Sequence, residues 1–256
     1  MQVNIQIARP FLPLITKKYR IKLYYGGRGG GKSYAFADVL LVRATRKKLF
    51  AVCLREVQDS IRDSVYKLIT DRISVHGLPD WQIKADEIVN LKNGSRIVFK
   101  GLRDQDPQKI KSLEGTDIAW IEEAQTITKK SWEILEPTIR KDGSEIWISM
   151  NRETENDPIW VAVGSCPDKR TLVVKVNYCD NPFCSEELKI QAEKCRQQSP
   201  EDYAHIWLGE PVRQGHTKVM NAEMVRRAFE TKIISATSPL IIGLDIARFG
   251  DDSTVF

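Results

Sequence analysis

Apolar residues follow two rhythms along this chain. Short runs at 21–25 (IKLYY), 49–54 (LFAVCL), 117–121 (DIAWI), 144–150 (SEIWISM) and 171–178 (TLVVKVNY) read as strands. LFAVCL and DIAWI are apolar enough to be buried on both faces, as in a parallel sheet. Between these runs the apolar positions recur every three or four residues. Ala35, Val39 and Val42 follow a glycine-rich loop, and basic residues gather at the end of that stretch. Val57, Ile61, Val65, Ile69 and Ile73 step by four. Both patterns predict helices. Strand, helix, strand is a βαβ unit and implies a parallel sheet.

Other elements carry local signals. EIVNL and SRIVFKG flank Lys92-Asn93-Gly94, and Asn-Gly favours the positive φ angles of a tight hairpin turn. A helix over 128–140 has Thr128 as its N-cap, and a charged helix over 185–198 opens on a serine. Residues 200–208 predict a short second helix. Residues 1–20 predict an extended lead-in, because Pro10 and Pro13 oppose an early helix. From 209 the stretch GEPVRQGHTKVM is polar and broken, which suits a linker. PLIIGLDIARFGDDSTVF then starts a new strand.

Composition narrows the class only a little. At 256 residues, 42% hydrophobic and 29% charged, the chain has an ordinary soluble composition. That length allows one large core, or one domain and part of another. The balance of 39 basic against 34 acidic residues permits a polyanionic partner without requiring one. Five cysteines form no CxxC pair and no secretory pattern precedes them, so reduced thiols are expected. The three histidines lack zinc-site spacing. No apolar run approaches the roughly 20 residues of a membrane helix.

Candidate chemistry concentrates in YYGGRGGGKSYAFA at 24–37. Gly26, four residues, then Gly31-Lys32-Ser33 fits G-x-x-x-x-G-K-[ST], between a strand and a helix. Gly26, Gly27, Arg28, Gly29, Gly30, Gly31, Lys32, Ser33 and Tyr34 are therefore the candidate nucleotide-binding residues. Glycines let successive N–H groups curl round phosphates at a helix N-terminus. Lys32 would reach the β- and γ-phosphates and Ser33 would hold Mg²⁺. Phosphoryl transfer also needs a metal-binding carboxylate and a group that orients the attacking water. AWIEEA supplies both: Glu122 to act on Mg²⁺ and Glu123 as general base. IWISMN ends another strand, where Ser149 and Asn151 either sense the γ-phosphate or simply terminate the strand.

Taken together, GGRGGGKS, REVQDSIRDSVYKLI, KIKSLEGTDIAWIEEAQTIT, EIWISMN, VNYCDNP and HIWLGEP resemble the large terminase subunit of tailed bacteriophages. The resemblance implies an α/β P-loop NTPase with a mainly parallel central sheet flanked by helices. That domain would span 1–208, with 185–208 as a helical lid and 209–238 as linker. An RNase H-like nuclease domain would begin over 239–256. The implied activity is ATP hydrolysis that drives double-stranded DNA into a capsid through the portal protein. A small terminase subunit selects the DNA, and the motor works as a homo-oligomeric ring in the host cytoplasm, away from membranes. An isolated chain would be monomeric.

Residue by residue, Arg28 matches the arginine this family places in the loop near the γ-phosphate. Ser149 and Asn151 match the motif that couples hydrolysis to movement, although residue 152 is Arg where relatives often carry Pro. Arg28 would neutralise transition-state charge, or else point outward to an acid. Arg55 acts on a neighbouring subunit's nucleotide, or pairs with Glu56 or another acid. Phe11, Tyr19 and Arg20 stack on adenine or serve packing.

GLDIARFGDDST would place Asp245 as the first ligand of a two-metal nuclease site, with Asp251 and Asp252 following a glycine turn. One strand cannot complete that site, so no nuclease activity is expected of residues 1–256. Arg43, Arg46, Lys47 and Lys48, and Lys109, Lys111, Lys129 and Lys130, form basic clusters that face DNA or only solvent. Two rival readings share the Walker motifs: a generic helicase-like DNA translocase, and an inactive nucleotide-binding prophage remnant.

Overall fold

A computed structural model of the protein describes residues 5–57, 61–102 and 113–212, apart from the side chains of residues 62 and 63. Lys109, Lys111, Asp245, Asp251, Asp252 and the expected nuclease start lie outside the described residues, as does the linker beyond 212.

The strands are β1 (Ile21–Tyr25), β2 (Phe50–Arg55), β3 (Trp81–Ile83), β4 (Glu87–Asn90), β5 (Arg96–Gly101), β6 (Ile118–Glu122), β7 (Glu145–Met150) and β8 (Thr171–Lys175). The helices are α1 (Leu12–Thr16), α2 (Lys32–Arg46), α3 (Lys67–Val75), α4 (Lys129–Thr138), α5 (Glu186–Gln198) and α6 (Pro200–Ile206). These described strands join one eight-stranded sheet in the order β3-β4-β5-β2-β6-β7-β1-β8. Among the described strands pairing is parallel along the sheet from β5 to β8 and antiparallel at β3–β4 and β4–β5.

Alternation along the central strands builds two apolar layers. Tyr24, Cys53, Trp120 and Trp147 face one way, against Phe36 and Leu40 of α2. Leu23, Leu54, Ile121 and Ile148 face the other way, against Trp132 and Leu135 of α4. Phe36 is the aromatic hub of the first layer, with ring centroids 5.4 Å from Tyr24, 5.6 Å from Trp120 and 5.7 Å from Trp147. Register brings three loops to one edge, because Tyr25 pairs with Met150 and Glu122 pairs with Ser149.

Several expectations change. The N-terminal stretch is not extended throughout: a 3-10 turn over Arg9–Phe11 leads into α1, and in each the proline sits in the first turn. A missing N–H costs nothing there, so proline starts these turns instead of preventing them. The helix expected from Val57 is a π-helical turn over Arg62–Tyr66 leading into α3, and Val57 is exposed. In the hairpin only Gly94 takes a positive φ (75°), so the turn is not the tight Asn-Gly form. Instead Asn90 Oδ1 accepts from the N–H groups of Lys92 and Asn93, each at 3.1 Å. The pattern also missed β3, which is only three residues long. The caps are as expected: Thr128 Oγ1 accepts from Ser131 N–H at 3.1 Å, and Ser185 Oγ from Leu188 N–H at 3.4 Å.

Candidate functional site

β1 ends at Tyr25, and the glycine loop carries the chain into the N-terminus of α2, a helix of 15 residues. Gly31 caps that helix with φ at 75°, a conformation that favours glycine. The Lys32 side chain folds back over the loop. Its Nζ donates to the carbonyls of Gly26 and Gly27 at 2.9 and 2.8 Å. Burial pulls the ammonium down to about 8, against the pull of the Glu122 carboxylate. Arg28 is exposed in the same cleft, with no ion pair among the described residues, so the alternative of an outward arginine tied to an acid does not hold there.

The loop is also gripped from behind, by residues remote in sequence. Asn177 Oδ1 accepts from Gly27 N–H at 2.9 Å, Ile206 O accepts from Arg28 N–H at 2.8 Å, and Asn181 Nδ2 donates to Gly29 O at 2.8 Å. A Cβ on Gly27 would lie 2.1 Å from Trp207 O, and one on Gly209 (φ +66°) would lie 2.4 Å from Gly26 Cα. Some of the loop's glycines are therefore required by close backbone packing within the protein, and not by phosphates alone. The VNYCDNP and HIWLGEP stretches hold these residues. Sequence reasoning quoted both stretches without assigning them this task.

Glu122 ends β6 and lies opposite Ser33, whose Oγ donates to Glu122 Oε1 at 3.0 Å. Burial raises the Glu122 carboxyl above its ordinary value, opposed by Arg55. Arg55 ends β2 and sets its Nε 2.8 Å from Glu122 Oε2. A second guanidinium nitrogen of Arg55 pairs with Glu123. Arg55 thus meets the acids Glu122 and Glu123 of its own chain. Glu56 accepts from Thr128 N–H at 3.3 Å and from Ser131 Oγ at 3.1 Å, at the start of α4. Glu123 has φ at 53°, the single positive value among described non-glycine residues.

Ser149 is buried, and its Oγ accepts from Trp120 Nε1 at 3.0 Å. Asn151 is exposed, and its N–H donates to Gln125 Oε1 at 3.3 Å. One cleft of about 890 Å³ collects Gly27 through Ala35 with Glu122, Glu123, Ser149 and Asn151. Gly26 is not among its lining residues. The guanidinium of Arg152 packs 3.9 Å from the centroid of the Trp160 ring.

The expected base-stacking residues separate. Phe11 lines the cleft but is buried and stacked on Tyr24 at 5.3 Å, which is packing. Arg20 lies at the opposite end of β1, where its guanidinium donates to Ser144 O at 3.0 Å and to Ile139 O. Tyr19 is half-buried and does not line the cleft. A cleft wall that sequence reasoning missed is Asp38, Arg72 and His76. Arg72 holds both Asp38 oxygens at 2.7 Å, and His76 Nε2 lies 2.8 Å from Asp38 Oδ1. Among the basic clusters, Arg43 turns inward to Glu145 at 2.8 Å, whereas Arg46, Lys47, Lys48, Lys129 and Lys130 are exposed.

The donor set suits a small hard cation. Among the described residues no group of three or more His, Cys, Asp or Glu side chains is placed to hold a metal ion. Ser33 Oγ and Glu122 Oε1, 3.0 Å apart, offer two hard oxygens at the mouth of the phosphate loop. Mg²⁺ is characteristically held by so few protein oxygens, with phosphates and water completing its shell.

A family model described as phage terminase large subunit matches residues 18–210. The chain is 36% identical over 104 residues to the PBSX phage terminase large subunit of Bacillus subtilis (strain 168), covering 40% of this chain and 24% of that protein. It is 24% identical over 255 residues to the terminase large subunit of Bacillus phage SPP1, covering 93% of this chain and 59% of that one. In fold it is similar to the large terminase of a thermophilic bacteriophage in complex with ATP-gamma-S. The TM-score there is 0.66 at 14% identity, covering 80% of this chain and 53% of that one. The bacteriophage HK97 large terminase gives 0.64 at 10% identity, covering 81% and 51%. The chain thus spans only part of each relative.

Proposed function

The chain belongs to the phage terminase large-subunit family, and from that premise we propose that it is the ATP-hydrolysing part of a motor that packages double-stranded DNA. The observation that carries this reading is the meeting of Ser33 and Glu122 at 3.0 Å, with Lys32, Arg28 and Glu123 lining the same cleft. The thermophilic phage's terminase complex with ATP-gamma-S supports ATP as the nucleotide.

In the proposed reaction the loop N–H groups and the N-terminus of α2 cradle the phosphates. Lys32 exchanges the carbonyls of Gly26 and Gly27 for phosphate oxygens. Ser33 and Glu122 hold Mg²⁺, which supplies charge neutralisation on the phosphates when bound. Glu123 accepts the proton of the water that attacks the γ-phosphorus. Arg28 offsets the charge that develops on the γ-phosphate oxygens, a contribution of roughly 10³–10⁵ in rate for such arginines. Ser149 and Asn151, one strand from Glu122, pass the state of the site to the DNA-moving parts. The portal protein, the small terminase subunit and a ring of copies are the proposed partners, at work in the host cytoplasm. Asp245 is proposed as the first metal ligand of an RNase H-like nuclease site.

The test is Mg²⁺-dependent ATP hydrolysis, with and without DNA and portal-bearing capsids. A motor is stimulated by the capsid, whereas a generic helicase-like translocase responds to DNA alone. Arg28→Ala should lower kcat far more than nucleotide affinity. Lost affinity at unchanged kcat would reduce Arg28 to a binding residue.

A further inference from the structure

Neighbouring residues leaving a strand point to opposite faces, so Glu122 and Glu123 should diverge. They converge on Arg55 instead. The cause is the backbone of Glu123, whose φ of 53° swings its carboxylate back to the side of Glu122. A non-glycine residue in this region is strained, because its Cβ crowds the backbone. Such strain persists where the surroundings over-determine it. Here the determinant is one guanidinium that spans two carboxylates, Nε at 2.8 Å from Glu122 and another nitrogen on Glu123. Arg55 is itself fixed, because Leu54 registers with Ile121 on the adjacent strand and the Arg55 side chain is only 8% exposed.

We propose that Arg55 is a positioning residue for hydrolysis: it sets Glu123 in its left-handed conformation, carboxylate in the cleft, as the base that attacking water meets. It acts through Glu123 and in its own chain. This rests on the proposed ATPase reading. It requires a planar fork, since an ammonium is a point charge and cannot take the two carboxylates in one fixed geometry.

The test is a cycle of R55A, E123Q and the double variant, followed by kcat, KM and binding of a fluorescent ATP analogue. R55A is expected to lower kcat by about 10²-fold, the scale of a misplaced catalytic group, with analogue binding within about threefold. R55K should recover less than about a tenth of the loss. The double variant should be no slower than E123Q alone, because a residue that acts through Glu123 has nothing left to position. Additive losses would overturn the proposal, and so would loss of analogue binding together with a lowered melting temperature. Recovery of activity on mixing R55A with E123Q protein would also overturn it, by showing that Arg55 serves a neighbour. A crystal structure of R55A decides without turnover. Glu123 leaving the left-handed region is expected, and an unmoved Glu123 sinks the idea even if the wild-type chain proves not to hydrolyse ATP. Absent wild-type hydrolysis with a moved Glu123 would count against the ATPase reading alone.

Discussion

The two ends of the central strands treat their buried lysines in opposite ways. At the N-terminal end Lys22 reaches Glu145 at 2.9 Å and Leu14 O at 3.0 Å, and Glu145 also holds Arg43 at 2.8 Å and Trp147 Nε1 at 2.8 Å. Burial lowers Lys22 against the pull of Glu145. Burial also pushes Glu145 up, but hydrogen bonds from Arg43 and Lys22 outweigh it and leave the carboxyl below its ordinary value. Each charge there is matched by protein. At the C-terminal end Lys32 rests on carbonyls of its own loop, neither Lys32 nor Arg28 has an acid in an ion pair among the described residues, and burial holds Glu122 up even though Arg55 pairs with it. A buried cation that rests on neutral carbonyls is ready to exchange them for an anion, whereas one locked to a carboxylate is not. Burial is common to both lysines, and the partner is what differs.

The largest effect expected from this contrast is at Lys32. K32A should abolish ATP hydrolysis while stability moves by less than about 1 kcal/mol, since the variant removes a cation with no carboxylate partner. Turnover measured beside a melting curve checks it, and wild-type turnover in K32A would remove the ATPase reading. Next comes E123Q, which keeps the shape and loses the proposed base. Turnover should fall by about 10²–10⁴-fold with nucleotide binding intact. Lost binding with surviving hydrolysis would reverse the roles given to the cleft.

The opposite end should answer in stability. K22M leaves Arg43 as the one described cation on Glu145, beside the Trp147 Nε1 hydrogen bond, and losing a partner of a buried carboxylate costs up to about 3–5 kcal/mol. Denaturant unfolding should show that loss, while ATP affinity of the folded protein stays unchanged. A K22M protein with normal stability and poor affinity would dissolve the distinction between the ends.

The strands other than the three-residue β3, the phosphate loop and the caps at Thr128 and Ser185 were legible because their signals are local. The walls of the site were not. Arg55 gave two alternatives in sequence, and its pairing with Glu122 and Glu123 comes from β2–β6 register, which no local pattern records. The conformation of Glu123 has no sequence signature, since glutamate seldom takes a positive φ. Pro10 and Pro13 were read as helix breakers, yet first-turn positions let them start turns. Gly209 looked like the beginning of a linker because glycine beside polar residues suits one. Its actual neighbour, Gly26, is distant in sequence, and no local pattern records such contacts.

That contact gives the smallest effect and the one that links the two kinds of region. Gly209 presses backbone against backbone behind the phosphate loop, beside the Ile206 O bond to Arg28 N–H. G209A puts a methyl 2.4 Å from Gly26 Cα at a φ of +66°. The segment must shift, at a cost of about 1–3 kcal/mol for overpacking a tight site. Because the strained atoms belong to the loop, part of that cost should appear as weaker nucleotide binding, about tenfold for 1.4 kcal/mol. The loop chemistry is untouched, so kcat at saturating ATP should fall far less than in E123Q. Binding titrations and melting curves on the same preparation measure the partition. A variant that melts earlier yet binds ATP as the wild type does would show that residues 206–209 only complete the packing, and that the loop keeps its shape without them.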